Sequence, residues 1–102
     1  MENILTLAQI VASTLKKYVT ASFNAKLYYS EDPTTGIYSV IVVPSQPKSS
    51  PHVMLLVQVT ENSVAILSDT TDRPLEDALV RAGIPREKIV VAYRGEPDLA
   101  SR

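Results

Sequence analysis

Cysteine and tryptophan are absent from this 102-residue chain, and histidine occurs once. The lack of cysteine excludes disulfides, thiolate nucleophiles and cysteine-ligated metals, and is compatible with a reducing compartment. No sign of charge predominates: ten Lys and Arg stand against eleven Asp and Glu, a formal net charge of −1. Residues 1–60 carry four basic and three acidic side chains and residues 61–102 six and eight, so neither half is a basic patch. Neutralising several phosphates takes clustered Lys and Arg, and weak or no intrinsic DNA binding is therefore expected. Long hydrophobic runs are also missing. Ile37–Val43 and Val53–Val59 are too short to cross a bilayer as helices. The opening Met1-Glu2-Asn3 lacks the basic region of a signal peptide, so the expectation is a cytoplasmic protein with no membrane association.

What is present is enough for one core. Hydrophobic residues make up 45% of the chain, and the length fits a single domain spanning 1–102. Ile4, Leu7, Ala8, Val11, Leu15, Tyr18 and Val19 recur at helical spacing and predict an amphipathic helix from Glu2 to about Val19. Lys16 and Lys17 suit its negative end. Ala25 to Ser30 reads as a strand, Asp32-Pro33-Thr34-Thr35-Gly36 as a turn, and Ile37 to Val43 as the second arm of a hairpin. The Pro44–Pro51 stretch, rich in proline and serine, is a loop. Val53 to Thr60 and Val64 to Leu67 are two further strands around a tight turn.

A second, shorter helix follows. Asp69 and Asp72 are its expected caps, and Pro74 suits its first turn. Leu75, Ala78, Leu79 and Ala82 form its apolar face, and Gly83 and Pro85 end it. Pro85 to Lys88 can add one turn, and Ile89 to Tyr93 is a short final strand or extended segment. The tail beyond Gly95 is polar and expected to fray. The fold class is α+β: a mostly antiparallel sheet of four to five strands, with an N-terminal helix and a short second helix on one face.

No catalytic site emerges from the residue types. His52 has neither a nucleophile nor an orienting carboxylate nearby in sequence, and reads as a polar residue where loop meets strand. Asp69, Asp72, Glu76 and Asp77 have spacing that could hold Mg²⁺, but capping and dipole complementation explain them more simply. No metal and no cofactor are expected. Arg81, Arg86, Lys88 and Arg94 are candidates for phosphate or acidic-partner contact, although interleaved with acids as on a mixed solvated surface. Tyr28, Tyr29 and Tyr38 could stack bases, but cross-strand packing is the simpler reading.

The C-terminal half carries a resemblance. Asp69-Thr70-Thr71-Asp72, followed by Leu79-Val80-Arg81-Ala82-Gly83-Ile84-Pro85-Arg86-Glu87-Lys88-Ile89-Val90-Val91-Ala92-Tyr93, resembles the XisI family. These are the fdxN-element excision controlling factors and their relatives, found mainly in cyanobacteria. The chain departs from the family pattern at Val43-Pro44 and Ala65-Ile66-Leu67, where tryptophan-containing motifs are common, and at Lys88, where an acid is usual. The resemblance implies a non-enzymatic accessory role in site-specific excision of a DNA element, beside a recombinase and with a XisH-like partner. A general interaction module, or a neutralising partner of a nuclease-like companion, is the alternative. Asp69, Thr71, Asp72, Arg86 and Arg94 are the candidate partner-binding residues.

The apolar runs add an expectation about association. Ile37–Val43 and Val53–Val59 scarcely alternate, as strands covered on both faces do. Two helices can cover only one face. The other is expected to meet a second copy in a homodimer, or the XisH-like partner, with Val40, Val42, Leu55 and Val57 as candidate self-association residues.

Overall fold

The structure, a computed structural model, describes residues 6–20, 25–46 and 49–94. Helix α1 (Leu7–Lys16) is followed by strands β1 (Ala25–Asp32), β2 (Ile37–Pro44), β3 (His52–Val59) and β4 (Val64–Asp69), helix α2 (Leu75–Arg81) and strand β5 (Ile89–Val91). Short 3₁₀ turns at Arg86–Lys88 and Ala92–Arg94 flank β5. The strands lie in chain order, β1-β2-β3-β4-β5. The first four form an antiparallel meander, and α2 carries the chain across to β5, which runs parallel to β4. The α+β expectation holds, with five strands.

Helix α1 is shorter than its periodicity suggests. Thr6 is its N-cap: the Thr6 hydroxyl accepts from the Gln9 amide, while Gln9 Oε1 accepts from the Thr6 amide. This reciprocal capping box starts the helix at Leu7. The expected start at Glu2 lies outside the described residues. At the other end single turns at Tyr18 and Val19 follow Lys16. The helix buries Val11, Thr14 and Leu15, with Tyr18 one turn on.

Helix α2 ends as its glycine predicts. Gly83 has φ +115°, its amide donates to the Val80 carbonyl, and the Ile84 amide donates to Leu79. Both bonds of a Schellman motif are present, and the buried Ile84 supplies its apolar contact. Ala82, expected on the apolar face, is exposed at the C-cap.

The core lies between the helices and one sheet face. Tyr38, Val40, Leu55, Val57, Val64, Ile66, Ile89 and Val91 pack there against Val11, Leu15, Leu75 and Leu79. Each fully buried aliphatic side chain contributes about 1.5–3 kcal/mol relative to exposure. Val40, Leu55 and Val57 are 0% exposed, and Val42 pairs with Leu27 on the same face. Of the expected self-association residues, Val40, Leu55 and Val57 are therefore the monomer's own core, while Val42 is half-buried on the same face. Their immediate neighbours face the other way, Met54 excepted.

A β-bulge explains the unbroken apolar run. Val40 pairs with Leu55 but Ile41 with Val53, so Met54 is an extra residue in β3. Met54 and Leu55 both pack toward the helices. A second register shift, between Leu56 and Val57, lies against β4.

Gly36 closes the β1–β2 turn. Its φ is +76° and its amide donates to the Asp32 carbonyl, while its own carbonyl accepts from the Val59 amide. A Cβ there would lie 2.3 Å from the Val59 carbonyl oxygen. Gly36→Ala should cost about 2 kcal/mol, combining left-handed strain with displacement of β3. Gly83→Ala meets open space and bears the strain alone. Urea denaturation should rank Gly36→Ala as the worse; equal costs would show that the β3 approach is unimportant.

Candidate functional site

The most connected polar group is the β4–α2 junction. Asp69 ends β4, and its Oδ1 accepts from the Thr71 amide at 2.9 Å and the Thr71 hydroxyl at 2.6 Å. Its Oδ2 accepts from the Leu75 amide at 2.8 Å. Asp69 thus caps α2 from six residues away, because the residue at the cap position, Pro74, has no side-chain donor or acceptor. Thr71 also lies 2.7 Å from the Arg73 carbonyl, and Thr70 is tied to Met54 by two bonds to its carbonyl. Asp72 is exposed and makes none of these bonds. Of the two expected caps, only Asp69 serves.

Arg86 belongs to a separate cluster. Its guanidinium pairs with Glu76 of α2 and donates to the Ile89 carbonyl at 2.9 Å, linking the helix to the start of β5. The Arg94 side chain lies outside the described residues. Of the candidate partner-binding residues, Asp69 and Thr71 come together, Asp72 stands beside them, and Arg86 is bonded elsewhere.

The remaining candidates separate by sheet face. His52 is exposed at the start of β3, with Nδ1 3.4 Å from the Ser50 carbonyl. Tyr29 and Tyr38 point toward the helices, whereas Tyr28 lies on the opposite face, 49% exposed. Three tyrosines split in this way make no common stacking platform. The Tyr29 hydroxyl donates to Glu31, and the Lys16 ammonium sits 5.2 Å from the ring centroid. Burial first, and then the Glu31 bond, push the Tyr29 phenol well above its ordinary value of 10.0. Among the described residues no group of three or more His, Cys, Asp or Glu could hold a metal ion. No described helix is long and apolar enough to cross a membrane.

Among the described residues, the outer sheet face and a cleft between the helices are accessible. On the sheet face away from the helices, Tyr28 pairs with Ile41, Ile41 with Val53, and Lys26 with Val43. Tyr28 and Val53 are exposed, and Ile41, Val43 and Leu56 are half-buried. Further along, Ala65 and Val90 on this face are buried. The second surface is a cleft between α1 and α2. Tyr18 spans it: its hydroxyl donates to the Arg73 carbonyl at 2.8 Å, and the Arg73 guanidinium carbon lies 4.7 Å from the ring centroid. Burial, followed by Asp69, raises the Tyr18 phenol, against the lowering pull of Arg73 and Arg81. No sequence spacing announces this contact, which joins residues 55 positions apart.

Together these features define a two-layer α+β domain: a five-stranded sheet, four strands in an antiparallel meander and the fifth parallel, with two helices on one face. A family model described as XisI protein matches residues 1–99, and the chain belongs to that family. A solved XisI-like protein from Anabaena variabilis ATCC 29413 is similar, with TM-score 0.73 and 20% identity, over 82% of this chain and 81% of that one. The fdxN element excision controlling factor XisI from the same organism is also similar, with TM-score 0.68 and 19% identity, over 93% of each chain. At such identity the structural likeness is one of fold. No curated protein matches the chain.

Proposed function

We propose that this chain is a non-enzymatic accessory factor that acts in the cytoplasm, binds a XisH-like protein and thereby influences site-specific excision of a DNA element. The family match over residues 1–99 carries this reading. The Asp69 carboxylate is engaged within the chain, where it holds α2 to the sheet. The outer face of β1–β3, with Tyr28, Ile41, Val53 and Leu56, is apolar surface of the kind that protein contacts use. A second copy of the chain, or the companion, covers it.

The test is recovery of the tagged chain from its native host, combined with deletion of its gene. The expected result is co-recovery of a XisH-like protein and impaired excision. Light scattering on the purified chain should give about twice the 11.2 kDa chain mass, and Ile41→Lys, on the outer face, should reduce it to a folded monomer. Unchanged excision without the gene, and no companion recovered, would overturn the reading.

A further inference from the structure

We propose that the cleft between α1 and α2 is a docking site for an acidic segment of a partner protein, received by Lys17, Arg73 and Arg81. This inference rests on the reading of the chain as a partner-binding factor and adds the chemistry of the partner. The cleft encloses about 240 Å³, with Tyr18, Ala78 and Ala82 among its walls and the three cations around it. All three cationic residues are exposed. None has an ion-pair partner among the described residues, in contrast to Arg86, which is held by Glu76.

Helix electrostatics account for only part of this. Lys17 caps the C-terminal end of α1 and Arg81 ends α2, where cations complement the dipole. Arg73 stands before the N-terminus of α2, the end at which a cation is disfavoured. It is kept there by the Tyr18 ring and by the Tyr18 hydroxyl on its carbonyl. A stacked guanidinium has its face occupied and its edge N–H groups left as donors, the arrangement that suits a two-oxygen carboxylate. Two more cations, brought in from both helices, then make a site for more than one acid.

The surroundings favour a peptide over nucleic acid. A duplex backbone needs a row of cations along a surface, whereas these three converge on one small concavity. Ala78 and Ala82 in the cleft, with the Tyr18 ring, provide apolar surface between the charges. The fitting partner is a segment in which Asp or Glu alternates with aliphatic residues.

Fluorescence anisotropy with a short labelled peptide of alternating Glu and Leu pairs tests this, at about 150 mM salt. The wild-type chain should bind it and ignore the same peptide with Lys in place of Glu. Lys17→Glu combined with Arg81→Glu should weaken binding about 100-fold, roughly tenfold for each charge-assisted hydrogen bond removed. The single reversal Lys26→Glu, on the opposite sheet face, should leave affinity within about twofold, bulk charge being screened at this salt. Circular dichroism should show both variants folded.

Failure of the wild-type chain to bind, or equal weakening by Lys26→Glu, would overturn the proposal. So would tighter binding of a short DNA duplex abolished by the same reversals, which would make the cleft a nucleic-acid site. If the double-reversal variant still recovers the XisH-like companion and the peptide does not bind, the cleft fails and the accessory reading stands. Cleft-dependent peptide binding with no companion recovered would leave the cleft standing and sink the accessory reading.

Discussion

Val57→Lys should leave the chain unfolded or insoluble, whereas Ile41→Lys should leave it folded. Val57 is 0% exposed between the sheet and the helices, and pairs with Tyr38 and Ile66, themselves in the core. The substitution forfeits about 1.5–3 kcal/mol of apolar burial. It also places an unpaired ammonium where desolvation costs several kcal/mol more. Against a typical total stability of about 5–15 kcal/mol, little remains. Ile41 pairs with Tyr28 on the outer face and can carry a lysine whose charge reaches water. Far-UV circular dichroism and chromatographic recovery distinguish the two. A folded Val57→Lys protein with native thermal stability would contradict the assignment of the core face.

Asp69→Ala should destabilise the fold by about 3 kcal/mol, and Asp72→Ala by less than about 0.5. The Asp69 carboxylate accepts three hydrogen bonds, from the Thr71 amide and hydroxyl and from the Leu75 amide. Removing it leaves the first amide of α2 without an acceptor beside the fully buried Leu75. Pro74 has no side chain that can take over. Hydrogen bonds to charged acceptors are each worth about 1.5–3 kcal/mol and do not add fully, hence the total. Asp72 bears no comparable duty. Urea denaturation of both variants measures the difference, and equal midpoints would remove Asp69 from its capping role.

The contrast between these aspartates shows what sequence can and cannot convey. Local signals are sound: Gly83 followed by Ile84-Pro85 announces the helix stop that the Schellman bonds complete. Asp32 through Gly36 likewise announces the hairpin turn. Residue type points to Asp69 and Asp72 alike, though only Asp69 caps, because a cap reaching six residues forward has no fixed spacing. Thr6 and Gln9 form a readable capping box, yet the apolar periodicity continuing upstream through Ile4 outweighs it. The sheet face is hidden for a different reason. An extra residue in one strand shifts the alternation, so the run Val53-Met54-Leu55-Leu56-Val57 places Met54 and Leu55 inward together. Nothing in the run marks where that happens. The clasp of Tyr18 on Arg73 is illegible in principle, since it depends on how the two helices meet.

That clasp sets the molecule's topology of assembly. In the meander every strand pairs with its neighbour in sequence, so each closure spans a short loop and costs little chain entropy. The Tyr18–Arg73 bond instead closes a loop of 55 positions, and the cleft exists only after that closure. A molecule seated among Lys17, Arg73 and Arg81 bridges the first helix to the last. It therefore adds its binding free energy to a closure that joins the two helices, and its presence reports that they have docked.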